Sequence, residues 1–487
     1  MTKKQEEDLS APPDADFEHS PKVVPHPSLQ ERAKLGKSER KRLPRESHAA
    51  WDAKPDRPDP VDVLEGQAAT RVPELIPIRY GRMLASPFAF YRGAAAIMAS
   101  DLATLPRTDL RVQLCGDAHL SNFGGFASPE RELVLDINDF DETLPGPWEW
   151  DVKRLAASIE IAGRERNFKT KERRSLVLAA VSEYRRAMGE FAQMGNLELW
   201  YLRLTLQVIQ SRWKMVAMSK SIKMLEKESQ EGTHRDNLRA FEKLTTRVKG
   251  KLRIAAHPPL IVPIEDLLLE DRKIEFEGVI RPLLRKYRST LQPDRRQLLE
   301  NFEYVHAARK VVGVGSVGSR TWIILLVGRD EQDPLFLQVK EAQASVLEAY
   351  LPRSAYRDNG QRVVEGQRLM QAASDIFLGW ERTPPGLDDR PHDYYMRQLW
   401  DWKISADIET MTPDKMKVYG QMCAWTLARA HARSGDRVAI CSYLGKSDVL
   451  ENSLVEFAAA YADQNEHDYQ CLAEAVKNKR VKTKTGI

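Results

Sequence analysis

The sequence predicts an α+β fold of two lobes, one helical and one built on a β-hairpin sheet. Three observations carry that prediction. A polar loop, GDAHLSN, is followed by the apolar run ELVLDI and an acidic turn. A glycine-rich turn at 313–318 leads into two β-branched runs rather than into a helix. Long stretches on either side carry apolar residues at helical spacing.

The 487 residues suffice for two lobes and a tail. A net charge of +4, from 74 basic and 70 acidic residues, is too even to point to nucleic acid. Cys115, Cys423, Cys441 and Cys471 form no CxxC, which argues against a zinc site or a disulfide framework and for a reducing compartment. No apolar run reaches the ~18 residues of a membrane span. The N-terminus lacks the apolar core of a signal peptide. A cytoplasmic location without membrane insertion is expected.

Residues 1–60 are polar and hold nine prolines, the composition of a disordered or loosely packed segment. Residues 61–309 are expected to form a helical lobe carrying the catalytic and metal-binding loops. Within it, 87–102 and 148–162 read as packed helices, the latter from Val152, Leu155, Ala156 and Ile159. Residues 132–137 read as a strand, and 111–114 as a short strand or an extended entry into the site. Two or three amphipathic helices follow over 171–235, and their basic run at 203–227 reads as a solvated face before a polyanion patch. Residues 236–309 read as mostly helical. A β-rich nucleotide-binding lobe is expected over 310–403, with strands at 321–327 and 335–339 and helices at 344–350 and 362–379. Residues 404–487, with helices at 413–433 and 452–475, complete the helical lobe.

Asp117, His119 and Asn122 fall within six residues, so one loop can converge them on a small volume. Asp117 can accept a proton from a hydroxyl, and Asn122 offers a neutral oxygen to Mg²⁺. A hard cation wants such oxygen ligands together with carboxylates and phosphate. Asp139 is the natural second ligand, flanked by Asp136 and Asp141. Three such close carboxylates need a cation or a basic side chain, unless some of them only cap turns. His119 can orient Asp117, contact phosphate or, in a hydrolase, bind metal. Asp151 either caps the helix it opens or supports the catalytic loop.

Gly313, Gly315 and Gly318 spell GVGSVG. Because strand rather than helix follows, the pattern fits a phosphate-covering hairpin better than a dinucleotide fingerprint. The second strand ends in Lys340, placed as in kinases to meet the α/β phosphates of ATP while Mg²⁺ bridges β and γ. Glu341, Glu348 and Glu365 are candidate partners for Lys340, Glu365 foremost as an inward helix carboxylate. In ordinary kinases these elements precede the catalytic loop. Here they follow it by about 190 residues. Either the glycines are coincidental, or the chain is a circularly permuted, protein-kinase-like two-lobed fold with extra helices.

GDAHLSN, DINDFD and WEWDVKRLAAS together resemble the sequence of aminoglycoside phosphotransferase-like and choline-kinase-like enzymes. That resemblance implies Asp117 as catalytic aspartate, Asn122 and Asp139 as Mg²⁺ ligands and Asp151 as loop support. The order of lobes departs from those enzymes, and Asp136 competes with Asp139 for the metal role. Across roughly 59–475, segments such as RYGRMLASPFAFYRGAA, CGDAHLSNFG, VGSVGSRTW and LARAHARSGD resemble the bacterial family known as domain of unknown function 2252. Arg79, Arg82 and Arg92 in it either bind phosphate or an acidic substrate or brace helices. His431, Arg433 and Asp436 either cap a helix or support the site.

The expected function is Mg-ATP-dependent phosphoryl transfer to a small molecule or protein. A nucleotidyl transferase would use the same groups on the α-phosphate. A metal-dependent phosphohydrolase would use Asp117, His119 and the acidic cluster without Lys340. A catalytically silent nucleotide-binding protein would bind without transfer. No zinc module or RNA-binding aromatic motif supports a nucleic-acid partner.

Overall fold

The computed structural model describes residues 25–213, 234–267, 280, 282–311, 313–384, 390–399 and 404–486. Helix and sheet are both present, as the α+β class requires. The strands are β1 (Arg111–Leu114), β2 (Phe123–Ala127), β3 (Leu133–Ile137), β4 (Leu144–Pro147), β5 (Thr245–Val248), β6 (Lys251–Ile254), β7 (Ile261–Pro263), β8 (Glu303–Lys310), β9 (Thr321–Val327), β10 (Pro334–Ala342), β11 (Gly379–Arg382), β12 (Asp393–Gln398) and β13 (Ile404–Ser405).

The largest sheet is antiparallel in the order β11-β12-β10-β9-β8-β7. Alternation along β10 explains how it is buried on both faces. Leu335, Leu337 and Val339 join one core with Ile324, Leu326 and Tyr287. Phe336 joins another with Ile323, Leu325 and Ile261. The two-residue period therefore puts Gln338 and Lys340 on the Phe336 face, where the apolar layer gives way to polar groups.

The main core lies among the helices Glu149–Glu165, Thr170–Phe191, Pro413–Ser434 and Val449–Lys477. Helix Pro413–Ser434 is started by the Thr412 cap and a proline in its first turn. Every residue from Met422 to Ala432 is buried, Thr426, Arg429 and His431 included, because helices and strands surround the helix. Its Tyr419 hydroxyl donates to the carbonyls of Leu120 and Phe123, at 2.8 and 2.9 Å, and so holds the loop between β1 and β2.

Several expectations change. Residues 25–60 pack against the body instead of draping loosely. Helix Leu29–Arg42 begins at a Ser28 capping box. It lies so close to helix Arg437–Leu444 that a Cβ on Gly36 would stand 2.0 Å from the Ala439 carbonyl oxygen. Backbone contact and an Arg32–Asp436 ion pair at 2.9 Å hold it, which a composition of few apolar residues does not reveal. Residues 1–24 lie outside the described residues.

Residues 236–309 supply β5 to β8, so the sheet begins before residue 310. The 344–350 stretch is a short 3-10 turn, Val346–Ala349, and the helix expected at 362–379 runs Asn359–Met370. Of the basic run at 203–227, Arg203 pairs with Glu130 at 2.7 Å and Arg212 with Glu183 at 3.1 Å. Its remainder from 214 lies outside the described residues. Among the described residues no helix is long and apolar enough to cross a membrane.

Candidate active site

A cavity of about 470 Å³ lies between the glycine turn, the loop after β1 and the acidic turn after β3. A second, of about 230 Å³, opens beside β10 and β12 and shares Asp139, Gly313 and Ser316 with the first.

The loop after β1 starts at Gly116, with φ +84°, where a Cβ would lie 2.3 Å from the Glu142 carbonyl oxygen. Only glycine meets both conditions. The backbone N–H groups of Cys115 and Gly116 donate to Asp151, at 2.8 and 3.0 Å. Asp151 sits in the first turn of helix Glu149–Glu165, where the helix dipole favours a carboxylate. His431 Nε2 lies 3.2 Å from Asp151 Oδ2, the oxygen that also accepts from Cys115 N–H, and the Tyr184 hydroxyl lies 2.8 Å from His431 Nδ1. Asp151 and His431 thus support the loop. Arg433 instead stacks on Trp200, and Asp436 caps helix Arg437–Leu444.

Arg154 lies three residues beyond Asp151 on the same helix and faces the same loop. Its Nε donates to Asp117 Oδ1 at 2.8 Å, and its Nη2 lies 2.7 Å from that oxygen. The guanidinium also stacks over the Tyr91 ring, 3.7 Å from its centre. Burial pushes the Asp117 carboxyl up to about 6 despite Arg154. His119 Nε2 stands 3.6 Å from Asp117 Oδ2, too far for a hydrogen bond. Burial and two arginines hold its imidazole well below its ordinary value, so it is neutral. Asn122 Nδ2 donates to the Asp117 carbonyl at 2.6 Å. That bond leaves its Oδ1 as the atom suited to a cation.

From the sheet, Lys340 Nζ reaches Asp141 at 2.5 Å and Asp139 at 3.3 Å. The Tyr395 hydroxyl donates to Asp141 at 2.8 Å. Asp139, with 32% of its side chain exposed, is the more open of the two.

Asp136 departs from the expected acidic cluster. It is buried on the far side of β3, where Arg429 Nη2 donates to its oxygens at 2.6 and 2.8 Å and Ala372 N donates at 2.9 Å. The strand alternation turns it into the core, so it does not line the cleft. Glu365 departs too. It pairs with Arg368 at 3.0 Å along its own helix, and Asp139 and Asp141 take its expected place beside Lys340. Glu341 pairs with Arg320 and His392. Glu348 lies 4.0 Å from Arg362. Among the described residues, no group of three or more His, Cys, Asp or Glu could hold a metal ion. A cation at Asn122 and Asp139 therefore needs oxygens from a ligand, which is how Mg²⁺ is commonly bound.

Gly313 and Gly318 have φ of +63° and +92°, and a Cβ on Gly315 would meet the Arg92 carbonyl oxygen at 3.1 Å. The glycine turn is tied down from outside the sheet. Arg71 Nη1 donates to the Val317 carbonyl at 2.6 Å, Arg82 Nη1 to that of Gly313 at 2.5 Å, and Val72 N to that of Gly318 at 2.8 Å. Arg79 and Arg92 line the same cavity.

Glu142 lines it as well, and burial, opposed by the Val346 N–H and Arg362, pushes its carboxyl up to about 7. A folded value above the unfolded ~4.3 means stability that is full at acid pH and is lost as pH rises through about 7. Glu142→Gln is therefore expected to raise the melting temperature at pH 8 and to leave it nearly unchanged at pH 5. A melting series against pH tests this; equal shifts at both values would contradict it.

Sequence reading singled out the loop, the glycines and Lys340. It passed over Arg71, Glu142 and Tyr395. Lys153 and Arg154 read from the sequence as basic partners for the acidic cluster, and Arg154 meets Asp117 of the preceding loop. No curated protein and no solved structure matches the chain. A family model does match, over residues 71–475. The chain belongs to that family, described as an uncharacterized protein conserved in bacteria (DUF2252).

Proposed function

We propose that this protein is a Mg-ATP-dependent phosphotransferase with a kinase-like, circularly permuted arrangement of lobes. One observation carries the reading. Lys340, on the strand after the glycine hairpin, meets Asp139, 201 residues away in sequence, beside the loop that bears Asp117 and Asn122. A glycine turn, a lysine strand and then a helix, facing an Asp and an Asn across a cleft, are the parts phosphoryl transfer requires. The permutation is supported by the end of helix Pro413–Ser434. Its Ser434 Oγ accepts from Gln113 N at 3.1 Å, so the helix ends beside the strand that leads into the catalytic loop.

In this reading Lys340 and the glycine turn hold the phosphates, and Asn122 and Asp139 hold Mg²⁺. The metal, when bound, neutralises charge on the β- and γ-phosphates. Asp117, oriented by Arg154, receives the acceptor hydroxyl proton. The chain's main contribution is positioning and charge.

Calorimetry of Mg-ATP binding tests the reading. Wild type is expected to bind saturably, with Lys340→Ala and Asp139→Asn each weakening binding by about tenfold or more. Absence of binding by folded wild type, or affinity indifferent to both changes, would refute it.

A further inference from the structure

We propose that the cavity in front of Asp117 takes an acceptor carrying a phosphate group, held by Arg71, Arg79 and Arg92. The transfer step rests on the phosphotransferase reading; the anion site itself does not.

Among the described residues, three other largely buried arginines sit against carboxylates, while buried Arg362 donates to the carbonyls of Thr143, Asp141 and Gln343. Arg57 pairs with Asp101 at 2.7 Å, Arg154 with Asp117 at 2.7 Å and Arg429 with Asp136 at 2.6 Å. The three cavity arginines differ. Arg79 is 1% exposed, yet only its Nη2 has partners, the neutral oxygens of Gln67 and Gly93 at 2.9 and 3.1 Å. Its Nε and Nη1 are buried without a partner. Arg71 donates to a carbonyl through Nη1, and its Nε is buried without a partner. Among the described residues, none of the three has a carboxylate within ion-pair reach. A buried cation left so is costly, and an anion in the adjoining cavity offsets that cost through its charge rather than by bonding the sealed nitrogens.

Acids in the cavity do not fill that role. Asp117 is matched by Arg154 and Glu341 by Arg320, while Asp139 and Asp141 share Lys340 and so leave one carboxylate charge in excess. Glu142 accepts from the Val346 N–H at 2.7 Å. Three guanidinium groups without an ion-pair partner exceed what that one surplus carboxylate neutralises. A phosphate brings up to two charges and three strong acceptor oxygens, a better match.

Asp117, as the proposed proton acceptor, puts the acceptor in the larger cavity beside the arginines. Lys340 lines the adjoining cavity on the sheet side, and Asp139, Gly313 and Ser316 border both, so the arginine site abuts the place proposed for the phosphates of ATP. In the transfer, the bond between the γ-phosphorus and the ADP oxygen breaks and a bond to the acceptor hydroxyl oxygen forms. The hydroxyl proton passes to Asp117, and the products are ADP and an acceptor with one more phosphate.

The test is calorimetry on the full chain with two matched pairs, glycerol 3-phosphate against glycerol and glucose 6-phosphate against glucose, with choline as a cationic control. Each titration is run with and without a saturating Mg²⁺ complex of a non-hydrolysable ATP analogue. At least one phosphorylated member is expected to bind saturably, with its neutral parent and choline silent. Arg71→Gln and Arg92→Gln should each weaken it about ten- to hundredfold. Preference for a neutral or cationic compound, no binding by either phosphorylated compound, or indifference to both substitutions would overturn the proposal. Competition between the phosphorylated compound and the ATP analogue would also overturn it, by giving the arginines to the nucleotide. Anion binding in a chain that fails to bind the analogue would keep the site and remove the phosphotransferase reading.

Discussion

Asp117→Asn is expected to lower the turnover of phosphoryl transfer by about 10²–10⁴-fold, the usual contribution of a positioned general base. Mg-ATP affinity should change little, because Asp117 is on the acceptor side. The amide keeps an oxygen in front of Arg154, so the bond at 2.8 Å can persist while the proton acceptor is lost. Arg154, 3% exposed, loses its counter-charge, and some stability is lost with it. Circular dichroism and ATP calorimetry separate that effect from catalysis. In wild type, with the carboxyl pushed up to about 6, turnover should fall as pH drops through that value, since only the ionised form accepts a proton. Full turnover in the asparagine variant, or a profile flat from pH 5 to 8, would remove Asp117 as the base.

How much of this site could be read beforehand depended on how local its causes were. Asp117 and Asn122 share one short loop, and Lys340 closes an alternating strand, so spacing alone brought them forward. The role of Asp136 could not be read that way. Its partner Arg429 is 293 residues distant, and only the packed fold turns its strand position inward. Glu365 failed for a related reason. Helical periodicity gives a residue's face relative to its neighbours, but not which neighbour that face meets. Arg71 had no motif to mark it. Its importance comes from where the glycine turn folds back, with a Cβ on Gly318 reaching its side chain at 3.0 Å. Helix Leu29–Arg42 was hidden because close backbone packing leaves no hydrophobic signature.

The second large effect concerns stability. Arg429→Met should destabilise the protein by about 3–5 kcal/mol, because it leaves the Asp136 carboxylate buried without its cation. Both side chains are 1% exposed, so water cannot compensate. The double variant Arg429→Met with Asp136→Asn should recover much of that loss. Asparagine can still accept from Ala372 N, and no charge remains in the core. Urea unfolding of the two single variants and the double variant gives the coupling directly. A cost below ~1 kcal/mol for Arg429→Met, or a strictly additive double variant, would mean that the pair is not acting as a buried ion pair.

The chain of contacts from the catalytic loop through Asp151 to His431 bears on biogenesis. The two residues are 280 apart, so the carboxylate that pins the loop meets its histidine only after most of the chain has been synthesised. Contacts of such sequence separation close late and slow the search for the native state. A nascent chain can therefore complete its early helices while the loop after β1 still lacks the support of His431. The support that helix Pro413–Ser434 gives this loop is thus among the last parts of the fold to form.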